Sequence, residues 1–213
     1  MKKTKILFAV LLLLPGGAFA QPVSERPDEV VPAVRNAFEI GVASGYTQGG
    51  GKLADEMISL GQIAGPGITV ELDLGYRFTP AFSVGAYGSL AAYEPGSMYR
   101  GYDVLGATLG LQVVWHVQPA RSLDPWISVG AGWKTLLASG DDDLTLRGVD
   151  LARVQFGLDF RLSKNVAVAP VIGGSISTFV SENQHGASYD ISGLPQFNGF
   201  AGISGRFDLD GAR

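Results

Sequence analysis

The feature that most constrains the fold of this chain is a strict alternation of apolar and polar residues. In the stretch ITVELDLGYRF, Ile68 to Phe78, every second side chain is apolar, and those between are polar or glycine. Successive side chains of a β-strand point to opposite faces, so the pattern predicts a strand with one apolar face. A soluble sheet buries that face, whereas a membrane barrel turns it toward lipid.

The same alternation recurs in eight segments, which predicts an all-β chain. Each segment has about the 9 to 11 residues that a tilted strand needs to cross a bilayer, or slightly more. The seventh, Val166 to Val180, is the least regular because Val171 breaks the alternation and Pro170 cannot donate a hydrogen bond to a neighbouring strand, and we expect a β-bulge or a local distortion there. The apolar residues that fall out of phase are Val114, Val171 and Phe200.

The connections between these segments alternate in length. The short ones are 79–81, 119–124 and 163–165, and the longer ones are 48–66, 94–101, 139–148 and 181–194. Short turns on one rim and long loops on the other are typical of transmembrane barrels. With an even number of strands, both termini are predicted on the short-turn, periplasmic rim.

Composition favours the membrane alternative. Charged residues make up 17% of the chain, against about 25% in soluble domains, and glycine, serine and alanine dominate the polar rows. Aromatic residues lie beside the short turns, as in the belts at membrane interfaces: Phe38, Tyr76, Phe78, Phe82, Trp115, Trp126, Phe160 and Phe207. The sequence therefore predicts an eight-stranded antiparallel up-and-down transmembrane β-barrel with its apolar rows facing lipid.

The polar rows of such a barrel face inward and carry sparse charges of both signs. Strand one neighbours strand two and, on closure, strand eight, so Glu39 is predicted between Arg77 and Arg206. A structural plug of paired groups is favoured over a proton or ion path, because an unpaired buried charge is costly. The predicted interior polar network comprises Glu39, Glu71, Asp73, Arg77, His116, Arg153, Asp159, Arg161 and Arg206.

The N-terminus has the pattern of a secretory signal peptide. Lys2, Lys3 and Lys5 precede the apolar run 6–14, and Ala18-Phe19-Ala20 forms a small-x-small cleavage site. Nine apolar residues are too few for a spanning helix, which needs about 20. The predicted organisation is a signal peptide at 1–20, a flexible periplasmic leader at 21–37, a barrel at 38–209 and a tail at 210–213.

In strand count, loop alternation and charged interior, residues 38–209 resemble the OmpA/OmpX-type family of small eight-stranded outer membrane barrels. The resemblance implies location in the cell outer membrane, contact with outer membrane lipids and lipopolysaccharide, assembly by the barrel assembly machinery, and a monomer. Members of this family usually end on an aromatic residue, whereas here Phe207 is followed by Asp208 to Arg213.

The expected function is a structural or surface-interaction role in the Gram-negative envelope, with a possible extracellular partner bound through the loops. Two alternatives are a narrow conduit for small hydrophobic molecules and a lipid A-modifying enzyme; a soluble ligand-binding barrel is a third. Catalysis is not expected, because His116 has no serine beside it. His185 lies near Ser181, Ser188, Glu182 and Asp190, but in no recognised catalytic order.

No cofactor or metal site is predicted. The Gly49–Lys52 stretch lacks the Ser or Thr that a phosphate loop needs at position 53. Acidic runs are usually solvated, so the cation candidates Asp141, Asp142 and Asp143 are not favoured. The formal charge falls from −4 to −7 when the three signal-peptide lysines are removed, which argues against nucleic acid as a partner.

One loop carries a helical pattern. Leu53, Met57, Leu60 and Ile63 recur at helix-like spacing within 52–63, which predicts a short amphipathic helix over the barrel mouth.

Overall fold

A computed structural model describes residues 33–53, 58–140, 143–184, 187–191 and 193–209. The predicted signal peptide, most of the leader and the tail lie outside these residues. So do Met57, Asp141, Asp142 and His185.

The described residues form nine β-strands and one helical turn. Strands are β1 Ala37–Gly51, β2 Ala64–Thr79, β3 Phe82–Pro95, β4 Asp103–His116, β5 Leu123–Ser139, β6 Leu144–Arg161, β7 Val166–Gln184, β8 Ala187–Asp190 and β9 Gln196–Leu209, and helix α1 is Leu60–Ile63. No helix in this part of the chain is long and apolar enough to cross a membrane.

The strands close into a barrel. Consecutive strands from β1 to β7 pair antiparallel, β9 pairs with β7, and β1 pairs with β9. The short strand β8 pairs only with the end of β7 and forms a hairpin with it. Eight strands therefore form the ring, and the prediction of a closed eight-stranded antiparallel barrel is confirmed.

The apolar rows lie on the outside of this barrel. Leu72, Leu111 and Phe156 are 46%, 70% and 52% exposed. Their polar neighbours Glu71 and Gln112 are buried. The barrel is therefore inverted relative to a soluble one, as the alternation and composition predicted.

The residues that broke the alternation share a location inside the barrel. Val114, Val171 and Phe200 all contact one small apolar cluster, which also contains Trp126 and Ala169. The expected position of Trp126 in the aromatic belt is therefore wrong, because its side chain is only 7% exposed. The other belt residues face outward, and Tyr76 makes edge-to-face contacts with both Phe38 and Phe78.

The irregularity expected in the seventh segment is a local distortion at Pro170, where the β6–β7 pairs stop at Val171 and resume at Val168 without a shift of register. Pairing between β7 and β9 runs without a shift from Val166 to Ser177, with Pro170 opposite Ile203. Register shifts occur beside Gly130, between Asp150 and Ala152, and after Arg147, where Val180 at the end of the seventh segment is the extra residue. The shift after Asp150 changes which residues of β6 point inward, so that Asp150 and Arg153 are both buried although they are an odd number of positions apart.

The loop predicted at 139–148 is mostly strand. Only residues 140–143 separate β5 from β6. Leu136 and Ala138 of β5 pack with Leu144 and Leu146 of β6 in a buried apolar cluster, which keeps both strands extended. The inward row thus changes from polar to apolar toward this end of the barrel.

The helix predicted in the first loop is shorter than expected. Helix α1 is a single turn in which the backbone N–H of Ser59 donates to Gln62 Oε1 at 2.8 Å. Leu60 and Ile63 are buried in the apolar cluster with Leu136, Leu146 and Phe179. We call this cluster the apolar cap, because it fills the long-loop end of the barrel.

The outward apolar row gives a direct test of the membrane environment. Arginine costs about 2–4 kcal/mol at the bilayer midplane of a barrel and about 0–1 kcal/mol near the interface, whereas an exposed position in water tolerates it within about 0.5 kcal/mol. Leu111→Arg, near the middle of β4, is expected to lower the free energy of unfolding in lipid vesicles by about 2–4 kcal/mol. Leu162→Arg, directly after β6 at the rim, is the control. If denaturant titrations show small and equal losses of unfolding free energy for both variants, the surface does not face lipid.

Candidate functional site in the barrel interior

The structure positions all nine predicted network residues on inward rows. Eight of them are buried, and Asp73 is partly buried. They do not form one cluster but two, one at the short-turn end and one at mid-height. We call these the lower and the middle network.

The lower network is centred on Glu39 of β1. Its Oε2 accepts a hydrogen bond from Arg77 Nη2 at 2.8 Å, and its Oε1 lies 3.0 Å from Arg206 Nε. Pairing of β1 with both β2 and β9 sets these contacts, since Ala37 lies opposite Arg77 and Gly41 opposite Arg206. Glu39 thus bridges the two strands on either side of it.

Arg206 connects the lower network to a strand that does not pair with its own. Its Nη1 lies 2.5 Å from Asp159 Oδ2 on β6, which is not a neighbour of β9 in the ring. Trp126 Nε1 donates to Asp159 Oδ1 at 2.8 Å, and the Arg206 guanidinium lies 5.2 Å from the Trp126 ring. These contacts link β9 to β6 and β5, which lie two and three positions from it in the ring.

His116 occupies the centre of the lower network. Its Nδ1 lies 2.8 Å from Asp124 Oδ2, and its Nε2 lies 3.2 Å from Arg77 Nη2 and 3.0 Å from Arg206 Nη1. A guanidinium can only donate, so Nε2 accepts from both arginines. Nδ1 therefore carries the proton and donates to Asp124, which makes His116 a neutral link between an acidic and a basic group.

His116, Asp124 and Asp159 come close enough to hold a metal ion, since one ligand atom from each lies within 4.8 Å of the others. The surroundings favour ion pairing instead. Nε2 of His116 faces two guanidinium groups, and Asp159 is paired with Arg206. A cation here would have to displace these contacts and lie against positive charge.

The sequence interpretation missed two acidic residues of the lower network. Asp124 lies 3.4 Å from Arg161, and Asp208 lies 3.7 Å from Arg77 and 3.6 Å from Arg161. Both continue inward rows, because Asp124 is in phase with Ser128 and Asp208 with Arg206. Extending the alternation to the strand ends would have identified them.

The middle network is built around Arg153 of β6. Its Nη2 pairs with Glu71 Oε1, and its Nη1 donates to Gln112 Oε1 at 3.2 Å. Gln112 Nε2 donates in turn to Asp73 Oδ1 at 2.7 Å. The Arg153 guanidinium also lies 4.0 Å from the Tyr87 ring, whose hydroxyl donates to Asp150 Oδ2 at 3.1 Å.

Large interior side chains fit because glycines lie opposite them. A Cβ at Gly157 would come within 2.3 Å of the Trp126 ring, and one at Gly110 would come within 2.6 Å of the Tyr87 ring. The glycine-rich polar rows therefore provide the volume that these aromatic side chains occupy.

The middle network also contains residues that sequence reasoning did not assign to it. Asp150 was missed because the bulge beside it changes the phase of β6. Lys134 is buried 3.4 Å from Ser177 Oγ and lines the same cavity as Asp150. It is in phase with Ser128 on the inward row of β5, but its proximity to Asp150 depends on the bulge.

Small cavities lie beside the two networks and the apolar cap. One of about 50 Å³ lies within the middle network, beside Lys134 and Asp150, one of about 30 Å³ lies between the two networks, and one of about 10 Å³ lies beneath Leu60 of the apolar cap. The first two are polar and large enough for water. Asp150 Oδ1 and Ser128 Oγ, which line them, have no protein partner within the described ranges.

Of the two histidines and the acidic run considered for catalysis or cation binding, the structure describes His116 and Asp143. His116 is buried in the lower network, and His185 lies outside the described residues. Asp143 is exposed, and its carboxylate accepts a hydrogen bond from the Gly140 N–H at 3.2 Å. Asp141 and Asp142 also lie outside the described residues.

The sequence matches no family model and no curated protein. The fold does match solved structures. Neisserial surface protein A (NspA) aligns with a TM-score of 0.55 and 11% identity over 80% of this chain and 96% of its own. The outer membrane protein OprG from Pseudomonas aeruginosa aligns with a TM-score of 0.53 and 11% identity over 84% of this chain and 99% of its own.

A third solved structure is the N-terminal β-barrel domain of Pseudomonas aeruginosa OprF. It aligns with a TM-score of 0.50 and 16% identity over 83% of this chain and 99% of its own. At these identities the likeness concerns the fold. The chain shares the eight-stranded β-barrel fold of these small outer membrane proteins.

Proposed function

We propose that this protein is an outer membrane β-barrel with a closed interior, which supports the envelope and presents its long-loop end to the outside. The observation that carries the proposal is the filling of the interior at successive heights. Ion pairs occupy the short-turn end, the middle network lies above them, and the apolar cap fills the long-loop end. A barrel filled in this way is suited to structural or surface roles rather than to transport.

The outer membrane location rests on the inverted surface. Exposed Leu, Val, Ile, Phe and Trp side chains cover the barrel wall, and a water-soluble protein rarely exposes apolar patches of that extent. Barrels of this fold include proteins named as a surface protein and an outer membrane protein. The signal peptide at 1–20 would direct export, and the barrel assembly machinery would insert a monomer beside phospholipid and lipopolysaccharide.

The interior networks act in this proposal as a structural plug. Arg206 joins β9 to β6, and Arg153 joins β6 to β2 and β4, so the ion pairs connect strands that share no backbone hydrogen bonds. A buried charge without its partner is strongly destabilising, so the barrel is most stable in the closed shape that keeps these ion pairs together.

A conduit for small hydrophobic molecules fits the interior less well. Benzene occupies an engineered protein cavity of about 150 Å³, whereas the interior cavity beside Lys134 and Arg153 is about 50 Å³ and is lined in part by charged groups. A lipid A-modifying activity also lacks support in the interior, since His116 contacts two arginines and an aspartate rather than a serine. We therefore propose that the protein is not an enzyme, with any extracellular partner bound by its loops.

The proposed function is tested by conductance and fractionation. The full-length protein is expected to sediment with the outer membrane and to migrate differently on gels before and after heating, as a closed barrel does. Reconstituted in planar bilayers, it is expected to show no steady single-channel conductance. Recovery in the periplasmic supernatant, or a steady open channel, would contradict the proposal.

The plug role predicts a large effect of removing Glu39. In Glu39→Ala, Arg77 and Arg206 lose the carboxylate between them, and breaking one side of a buried pair costs about 3–5 kcal/mol. The free energy of unfolding in detergent is expected to fall by that amount. Glu94→Ala, at an exposed position on β3, is the control and is expected to change stability by less than about 0.5 kcal/mol. A loss for Glu39→Ala no larger than for the control would rule out the plug.

The positions of the three tryptophans predict which side of the barrel wall contacts lipid. Trp115 and Trp133 are 52% and 69% exposed on the outer wall, whereas Trp126 is 7% exposed inside. Lipids with brominated acyl chains are expected to quench a variant that keeps only Trp133, but not one that keeps only Trp126. Vesicles of unbrominated lipid serve as the reference. Equal quenching of the two variants would be inconsistent with this orientation.

A further inference from the structure

The residues before β1 turn across the short-turn mouth of the barrel. Ala33 and Val34 are 5% and 4% exposed. The Ala33 N–H donates to the Pro119 carbonyl at 2.7 Å. Asn36 has a φ of 51°, in the left-handed region, where the chain changes direction just before β1.

Pro119 lies on the opposite side of the ring. It belongs to the turn between β4 and β5, and β5 is four strands from β1 in either direction around the barrel. The four residue steps from Ala33 to Ala37 span at most about 14 Å. The segment and the turn therefore meet beneath the opening instead of following the rim.

The lower network lies directly inside this opening. Arg77 pairs in register with Ala37, the first residue of β1, and its Nη1 donates to the Pro80 carbonyl in the β2–β3 turn at 2.9 Å. Arg77 is 0% exposed and Asp208, near the end of β9, is 2% exposed. These groups are buried although their strands end at the rim, which requires cover from below.

We propose that residues 33–36 form a strap that closes the periplasmic mouth and shields the lower network from periplasmic solvent. Among the described residues, the backbone hydrogen bond from Ala33 to Pro119 in the β4–β5 turn holds the far end of the strap. This hydrogen bond is not part of the barrel pairing, so the strap can be released without breaking the barrel. Release would open the lower network to water while the middle network and the apolar cap remain in place.

Cross-linking tests the position of the strap. The chain contains no cysteine, so any disulfide must join the introduced thiols. In full-length protein in detergent, the double variant Ala33→Cys/Pro119→Cys is expected to form an intramolecular disulfide on mild oxidation. Mass spectrometry would detect it as the loss of two hydrogens. The same variant unfolded in urea is the control, with slower formation expected. If the disulfide forms no faster in the folded protein than in the unfolded one, the proposal is overturned.

Thiol accessibility tests the closing role. Ser83, at the start of β3, is inward and 2% exposed, and Ser163 lies in the exposed β6–β7 turn. A small charged methanethiosulfonate reagent is expected to modify Ser83→Cys at least tenfold more slowly than Ser163→Cys. Adding Ala33→Pro, which removes the donor N–H, is expected to abolish most of that protection.

Arg35→Ala is the matched control on the strap, because Arg35 is exposed. It is expected to leave the rate of Ser83→Cys modification unchanged. Heat-dependent gel migration confirms that each variant keeps a folded barrel. Val34→Asp, which places a charge at a buried strap position, is expected to remove the protection as Ala33→Pro does. A Ser83→Cys rate equal to that of Ser163→Cys with the strap intact, or one unaffected by both Ala33→Pro and Val34→Asp, would overturn the proposal.

Discussion

The pairing of β1 with β9 is the constraint on which the rest of this structure depends. It closes the sheet, so that no strand of the ring leaves an edge of unpaired backbone groups, which hydrocarbon does not tolerate. Closure also fixes an inside and an outside, and the alternation then directs each side chain to one of them. Because Glu39 is on β1, the same closure positions it between Arg77 and Arg206.

Once the barrel is closed, charged groups inside it must find partners across the interior. Neighbouring strands provide some of them, but Arg206 reaches past β7 to Asp159, and Arg153 reaches Glu71 on the opposite side of the barrel. His116 contributes without a charge, by donating to Asp124 and accepting from two arginines. The result is a layered interior in which ion pairs, small polar cavities and the apolar cap follow one another along the axis.

Much of this arrangement was readable from the sequence, and the errors have identifiable causes. The inward rows of β1, β2, β4 and β9 followed from alternation alone. Asp150 was missed because a bulge shifts the phase of β6, which a two-residue period cannot anticipate. Trp126 was assigned to the outer belt from its place beside a turn, although its phase matched the inward row of β5. The out-of-phase residues Val114, Val171 and Phe200 were a signal of the interior apolar cluster.

The sequence by itself determined the eight-stranded barrel and which side of each strand is apolar, because a period of two is a local property of an extended chain. Only the tertiary structure decided which charges pair across the interior, where the strands bulge, and that residues 33–36 cross the mouth to Pro119. Those features join residues far apart in the chain, and their distances depend on the closed ring rather than on any local pattern.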